Sequence, residues 1–532
     1  MESNLYSFLH KNAQDFPNKA ALFIDKQTLT YKKLLQESDR IASFLGVKGV
    51  KKGDRVAMIL ANSWEFIATL FGIFRLGAIA VPINTMLKSD ELEYILKDSG
   101  AVVAFISTRF QKETKGLLER TQLCSIIWHE SEQPEKSKEE MGEFDRRNIQ
   151  YTSIPTAGNL DKTWAQGGEE VAMIIYTSGT TGFPKGAMLS HNNLLSNLTA
   201  VTKLFQIHLK DRFIVYLPMF HAFTLTASIL LPLFRACSLV IIKSIMPFSN
   251  ILRQVLFKRV TIFFGVPDVY NALIRAKLPW YFMWFNAVRI FVSGASALSD
   301  TTLAQYKKRF KRAVMIEGYG LSECSPVIAV NPLERQKPSS VGIALPEYEV
   351  KIVDEELLEL PLGERGEIIV RGGCVMKGYL NHPESTKNTI VNGWLLTGDI
   401  GCMDEEGYLY ILDRKKDIII SKGINIYPRE IEETLMAGFP TIKACAVVGF
   451  LEESLDEIPV AFIEYEPDSP HYSDTELRNY LKKHLANFKI PKHIYVREEL
   501  PKNATGKILK RLLKQELQEL GIQKGKSLFK HH

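Results

Sequence analysis

From Val171 to Gly186 the chain reads Val-Ala-Met-Ile-Ile-Tyr-Thr-Ser-Gly-Thr-Thr-Gly-Phe-Pro-Lys-Gly. The apolar run Val171–Ile175 predicts a buried strand. The glycines and hydroxyl residues that follow break it, and predict a turn. Glycines let successive backbone N–H groups close around an anion as a concave nest. Thr177, Ser178, Thr180 and Thr181 add hydroxyl donors, and Lys185 adds a cation on a flexible stem. A buried strand emptying into such a loop suits a polyphosphate. The pattern is not the Walker loop, whose lysine follows a glycine and precedes Ser or Thr; here Pro184 precedes Lys185 and Gly186 follows.

The chain around this loop has 532 residues, too many for one compact core, so two or more domains are expected. Residues 55–128 alternate strand-like and helix-like segments. Arg55–Leu60 reads as a strand, Trp64–Arg75 as a helix and Ala78–Ile83 as a strand. Helix Asp90–Asp98, strand Ala101–Ile106, helix Lys112–Thr121 and strand Cys124–Trp128 follow. This is the rhythm of a parallel sheet. Residues 338–378 read as all-β, and residues 424–532 as a small α+β unit. A net charge of +6 with dispersed Lys and Arg gives no argument for nucleic acid. Cys124, Cys237, Cys324, Cys374, Cys402 and Cys445 form no CxxC pair, so reduced thiols and a cytoplasmic location are expected. The first residues carry no basic segment followed by an apolar one, so no secretory signal is expected. Phe213–Phe234 lacks Asp, Glu, Lys and Arg, but Pro218 and Pro232 interrupt it. Strand (Phe213–Leu217), buried helix (about Ala222–Leu231) and strand (Ser238–Ile242) are the expectation, in place of a membrane span.

Further stretches suggest chemistry. Leu189–Asn193 starts a helix, with Ser190 or Asn192 as N-cap. His221 and Phe223 sit in apolar company. Thr261–Tyr270 reads as a buried strand turning into a helix at Pro267. Trp280-Tyr-Phe-Met-Trp-Phe285 reads first as a core or packing helix; the sharper alternative is an aromatic patch that touches membrane or gates a lipid path. Arg289–Leu298 reads as a strand ending in small residues, which leave room for a ligand. Glu317-Gly-Tyr-Gly-Leu-Ser-Glu323 offers a flat ring, glycines that admit a base, and a carboxylate for a hard cation. Gly393–Asp399 ends in a carboxylate able to accept two hydroxyls. Asp413-Arg-Lys-Lys-Asp417 is a charged turn between apolar runs, and Lys507 follows Ala-Thr-Gly in a polar turn.

Taken together and in this order, these strings resemble the adenylate-forming (AMP-binding) superfamily of acyl-CoA synthetases, amino-acid adenylation domains and luciferases. The resemblance covers nearly the whole chain. It implies an α/β fold: a large multi-layer N-terminal domain (1–412) with parallel sheets and a β-rich subdomain, a hinge (413–417), and a small mobile α+β C-terminal domain (418–532). It implies ATP, Mg²⁺ and coenzyme A. By carry-over Thr177, Ser178, Gly179, Thr180, Thr181, Gly182 and Lys185 hold phosphates. Gly318, Tyr319, Gly320 and Ser322 hold adenine, with Tyr319 stacked on it. Thr180 and Glu323 hold Mg²⁺, Asp399 holds the ribose, and Arg414 contacts the nucleotide. Lys507 is the lysine that catalyses adenylation. His221, Phe223, Val266, Gly294 and Ala295 border the acyl pocket. Lys416 is the position that absorbs the domain rotation, and Gly423 lies on the thiol path.

The segment Pro218–Phe223 has no acid to pair a substrate ammonium, unlike the amino-acid adenylation domains. The run of motifs looks most like medium- or long-chain fatty acyl-CoA ligases. Alternatives are an aryl-CoA ligase of the coumarate or succinylbenzoate type, an acyl-carrier-protein ligase, and, outside catalysis, a silent lipid-binding scaffold. The sequence is silent on oligomeric state; it permits a homodimer and a weak peripheral membrane contact.

Overall fold

The computed structural model describes residues 4–129, 147–155, 167–177, 184–243, 249–294, 300–421, 424–451, 457–503 and 506–523. Two large sheets form the first part. One has nine strands, in the order Ile343–Ala344, Val327–Val330, Val314–Gly320, Ile290–Ser293, Ile262–Gly265, Arg212–Val215, Ser238–Ile241, Ala20–Ile24 and Gln27–Thr30. It is parallel from Val314–Gly320 to Ala20–Ile24 and antiparallel at both edges. The other has eight strands, and its parallel centre is built from Ile79–Pro82, Arg55–Ile59 and Ala101–Ser107. Their strands are apolar on both faces because helices cover both sides.

Helix Trp64–Leu76 shows how local signals place these layers. Ser63 caps it by accepting the Phe66 N–H at 3.2 Å, and Gly77 ends it at φ 74°. Glycine suits this left-handed C-cap because it has no Cβ to clash. Phe66, Phe71 and Phe74 are fully buried, in the same core as helices Tyr31–Val47 and His191–Leu204.

An antiparallel β-rich sheet follows, made of Glu349–Val353, Gly366–Arg371 and Trp394–Met403, with Ile390–Val391 and Leu409–Arg414 beside the last. The small C-terminal domain has a three-stranded sheet, Ile442–Leu451, Glu457–Tyr465 and His493–Arg497, and its own apolar clusters. The chain is therefore the expected α/β assembly of a large and a small domain.

Three expectations change. The helix expected over Lys112–Thr121 shrinks to Leu117–Arg120, because Gly116 takes φ 74° and the Thr114 hydroxyl donates to the Phe110 carbonyl. Such side-chain bonds compete with helix formation. The helix expected at about Ala222–Leu231 is a π-helix, Thr224–Leu230, continued by Leu231–Phe234. The core reading of Trp280–Phe285 fails: only Phe282 is buried, while Trp280 and Trp284 are 71% and 72% exposed. Among the described residues no helix is long and apolar enough to cross a membrane.

Candidate active site

Strand Val171–Thr177 is the first arm of an antiparallel pair. Strand Lys185–Ser190 returns antiparallel to it, with Thr177 opposite Lys185 and Tyr176 opposite Gly186. Sequence reading had passed over this return strand, since a Gly/Lys/Met/Ser string has no β-branched residue to mark it. Strand Gly378–Tyr379 adds to its outer edge, pairing Tyr379 with Ala187. Ser190 caps the next helix by accepting the Asn193 N–H, while the Asn193 side chain accepts the Ser190 N–H. Ser178, Gly179, Thr180, Thr181 and Gly182 lie outside the described residues, as do Ala295 and Gly423.

Pairing carries Thr177 and Lys185 to Glu323, which follows strand Val314–Gly320 of the other large sheet. The Thr177 hydroxyl donates to Glu323 Oε1 at 3.3 Å, and the Tyr379 hydroxyl donates to the same oxygen at 2.9 Å. Both bonds fall on Oε1, which leaves Oε2 free of them; a carboxylate held this way is a hard oxygen donor suited to Mg²⁺. Among the described residues no cluster of three or more His, Cys, Asp or Glu forms a protein-only metal cage. Mg²⁺ is commonly held by one or two carboxylates together with phosphate oxygens. Lys185 Nζ donates to Ser385 Oγ at 2.9 Å and lies 5.6 Å from the Tyr379 ring centre. Burial, with the Glu323 carboxylate beside it, pushes the Tyr379 phenol above its ordinary value, so it stays a donor.

Tyr379 is a positioning residue that the sequence reading did not single out. Its string, Val-Met-Lys-Gly-Tyr, has no local signal for a role, and nothing short of strand pairing puts its hydroxyl on Glu323. Tyr379→Phe removes a hydrogen bond to a charged group, worth about 1.5–3 kcal/mol. We expect roughly a tenfold or greater weakening of Mg²⁺ binding beside Glu323. A magnesium titration of the folded protein and of the variant, followed by calorimetry with a nucleoside triphosphate present, checks this.

The second half of the site is built around Asp399, which is 5% exposed. Its Oδ2 accepts the Tyr319 hydroxyl at 2.7 Å, and its Oδ1 lies 3.1 Å from Arg414 Nε across the antiparallel pair Asp399–Arg414. Each oxygen keeps a further lone-pair site for an incoming hydroxyl. Burial, then the Asp399 carboxylate, raises the Tyr319 phenol. Gly320 is required for a reason other than room for a base. A Cβ there would lie 1.9 Å from the Pro326 carbonyl oxygen across the turn. Gly318 stands opposite Val330 in the same pairing, and Ser322 opens the 3-10 turn that presents Glu323.

Glu367 is a second residue missed from sequence. It begins an apolar strand and would ordinarily face water, yet it is buried. Its Oε1 accepts the Gly398 N–H at 3.1 Å and its Oε2 accepts Lys415 Nζ at 2.8 Å. It joins the Asp399 turn to the charged segment 413–417. Asp413 accepts the N–H groups of Arg414 and of Arg429, in the first turn of helix Pro428–Gly438, so the C-terminal domain is tethered at the same point. Lys416 is pushed down by burial and by Arg414.

Lys507 arrives from the far end of the chain on a small loop. Asn503 Oδ1 accepts the Lys507 N–H at 2.9 Å, the Asn503 N–H donates to the Lys507 carbonyl at 2.9 Å, and Gly506 takes φ 82°. Below the loop, the buried Glu464 accepts Lys502 Nζ and the Leu500 N–H, both at 3.0 Å. The Lys507 side chain keeps contact with solvent in the open cleft although protein crowds it. Loss of hydration, then Arg414, lowers it to about 8 against the opposing pull of Asp399 and Asp417. The structure thus brings Lys507, Arg414, Asp399 and Tyr319 to one cleft.

Of the residues expected to border an acyl pocket, His221, Phe223 and Gly294 also meet. The His221 Nδ1 accepts the Phe223 N–H at 3.3 Å, and burial lowers the imidazole to about 4, so it is neutral at pH 7. The Phe223 ring fills the space a side chain at Gly294 would need, 2.8 Å from its Cβ position. Phe264 packs edge-on against Phe223 at 5.6 Å, and Val266 caps helix Pro267–Arg275 next in sequence.

Comparison with known proteins agrees with this geometry. Residues 9–380 match the family described as AMP-binding enzyme, and residues 430–507 match the AMP-binding enzyme C-terminal domain. A long-chain-fatty-acid–CoA ligase of Salmonella typhimurium is 34% identical over 512 residues, covering 92% of this chain and 90% of the relative. A feruloyl-CoA synthase of an Amycolatopsis species is 34% identical over 504 residues, covering 94% and 96%. Among solved structures, an anthranilate CoA ligase in complex with anthranoyl-AMP superposes with a TM-score of 0.87 at 28% identity, covering 98% of each chain. The o-succinylbenzoate CoA synthetase of Bacillus subtilis, in complex with ATP and magnesium, does so at 0.82 and 29% identity, covering 95% and 99%.

Proposed function

The chain belongs to the AMP-binding enzyme family and is an AMP-forming acyl-CoA ligase; from that premise we propose that its acid is a medium- or long-chain fatty acid. The observation that carries this reading is the wall formed by Phe223, Phe264 and Gly294. It is apolar, the imidazole beside it is neutral, and Pro218–Phe223 contains no carboxylate to pair an ammonium group. Burying an apolar chain against such a wall gains about 0.8 kcal/mol per methylene.

In this reading the acid's carboxylate oxygen attacks the α-phosphorus of ATP and the bond to pyrophosphate breaks, leaving an acyl-adenylate. Lys507 bridges the carboxylate and the α-phosphate oxygens, and so offsets charge that builds in the transition state. Asp399 accepts the ribose hydroxyls, Tyr319 stacks on the adenine, and Arg414 contacts the nucleotide. Lys185 and the hydroxyls of the 177–182 loop hold the phosphates. Glu323, with Thr180, would hold Mg²⁺, which when bound would neutralise phosphate charge. Holding both reactants in line removes much of the entropic barrier. The C-terminal domain then turns about Lys416, Lys507 withdraws, and the CoA thiol enters past Gly423. The sulfur attacks the acyl carbon and AMP leaves.

An aryl acid is the second reading. It is favoured by the edge-on aromatic wall of Phe223 and Phe264, which suits a ring, and by the feruloyl and anthranilate relatives. AMP release with palmitate, octanoate, acetate and coumarate, each with and without CoA, separates the two. CoA-dependent release with an aliphatic acid is expected. Release with coumarate alone overturns the fatty-acid reading.

A further inference from the structure

Three segments distant in sequence meet on one face of the large domain. Helix Ser249–Phe257 packs against helix Trp280–Phe285. The turn after helix Asp300–Arg309 joins them, where Arg312 donates to the carbonyls of Met283 and Trp284 at 2.7 and 2.8 Å. Phe282 anchors the aromatic helix in the same core cluster as Ile251, Val255 and Phe310. Met283 packs beside it, and the four other residues of that helix are exposed. Trp280 and Trp284 are joined in solvent by Phe285 at 64% exposure and Phe257 at 71%, with Tyr281 beside them. Single exposed apolar residues are ordinary, but a contiguous aromatic group marks an interaction surface.

The charge around it has one sign. No Asp or Glu occurs in residues 249–263, 276–289 or 302–316, while Arg253, Lys277, Lys307, Lys308, Lys311 and Arg312 are all exposed there. Arg253 lies over the exposed Phe257 ring at 5.9 Å, so cation and aromatic form one patch.

We propose that this face docks the enzyme on the surface of an anionic lipid bilayer. The two tryptophans and Phe285 would sit at the headgroup boundary, where amphipathic rings partition, and the surrounding cations would face lipid phosphates. A second copy of this chain fits poorly. A two-fold contact would set the patch against itself and bring two basic rims together. A protein partner would have to combine an apolar centre with an acidic rim matched to these cations. A bilayer supplies apolar depth and negative charge together, as the interfacial binding of basic amphipathic surfaces requires.

The test is co-sedimentation of the full chain with vesicles of phosphatidylcholine alone and of phosphatidylcholine with phosphatidylserine. Pelleting with the phosphatidylserine vesicles only is expected, and its loss at ~1 M salt, where the screening length is about 3 Å. Trp280→Ser with Trp284→Ser should lower the partition coefficient by roughly tenfold per ring. Lys277→Gln, Lys308→Gln and Lys311→Gln should lower it by about fivefold per charge. Near-UV circular dichroism reports whether each variant keeps its fold. None of these residues lies in the nucleotide or acyl site, so the readout stands apart from catalysis. The proposal is overturned if the wild type stays in the supernatant, or if folded variants pellet as it does. It is overturned equally if the serine variants change only the mass of the free protein in analytical ultracentrifugation, which would mark a self-association face.

Discussion

Lys507→Ala is expected to slow acyl-adenylate formation by about 10²–10³-fold, the usual consequence of removing one preorganised group aimed at transition-state charge. The effect should be confined to the first half-reaction. Acyl-adenylate supplied from outside should still be converted to acyl-CoA, because in the proposed reading Lys507 withdraws before the thiol attacks. Single-turnover measurement of each half-reaction checks this, and equal losses in both would remove Lys507 from its assigned role. A pH signature accompanies it. Lost hydration and Arg414 bring Lys507 down to about 8. The charged form is the active one, so it is present below that value and lost as pH rises through it. Adenylation by the wild type should therefore fall on an alkaline limb near pH 8, and Lys507→Arg, which stays charged, should lack that limb.

Asp399→Ala is the second large effect. The carboxylate would hold two ribose hydroxyls by charge-assisted bonds worth about 1.5–3 kcal/mol each, so the KM for ATP should rise by roughly 10²-fold or more. The substitution also releases Tyr319 and Arg414, both held by this carboxylate at 2.7 and 3.1 Å. Asp399→Asn keeps one acceptor oxygen and should lose less. In the proposed reading Asp399 meets only the nucleotide, so the KM for CoA should hardly move. ATP titration of adenylation, with calorimetric binding of AMP alongside, checks both variants; an unchanged KM for ATP with Asp399→Ala would show that the ribose is held elsewhere.

Much of this site is legible from local strings, because the functional side chains lie on short motifs at the ends of strands. Glu323, Asp399 and Arg414 are each flagged by the company they keep, and the parallel rhythm of residues 55–128 announces the layered fold. Tyr379 and Glu367 are not legible that way. Each follows an ordinary strand pattern, and each acquires its role only from what the sheet sets opposite it. The aromatic helix shows the same limit from the other side. Six large apolar residues in a row look like core, since burial is what such side chains usually gain from. Whether they are buried depends on how many neighbours the fold places around them, and here it buries Phe282, half-buries Met283 and leaves the other four exposed.

The sequence by itself determined the family, the layered α/β plan with a second small domain, and the residue types that meet a nucleotide. These are properties of motifs in order and of hydrophobic periodicity, which are written along the chain. Only the tertiary structure decided that Tyr319 and Arg414 share the one carboxylate of Asp399, that Tyr379 steers Glu323, and that two tryptophans face outward among lysines. The physical reason is that hydrogen bonds and burial act over a few ångströms between residues that stand tens to hundreds of positions apart, and distance in space is set by the packing of whole sheets.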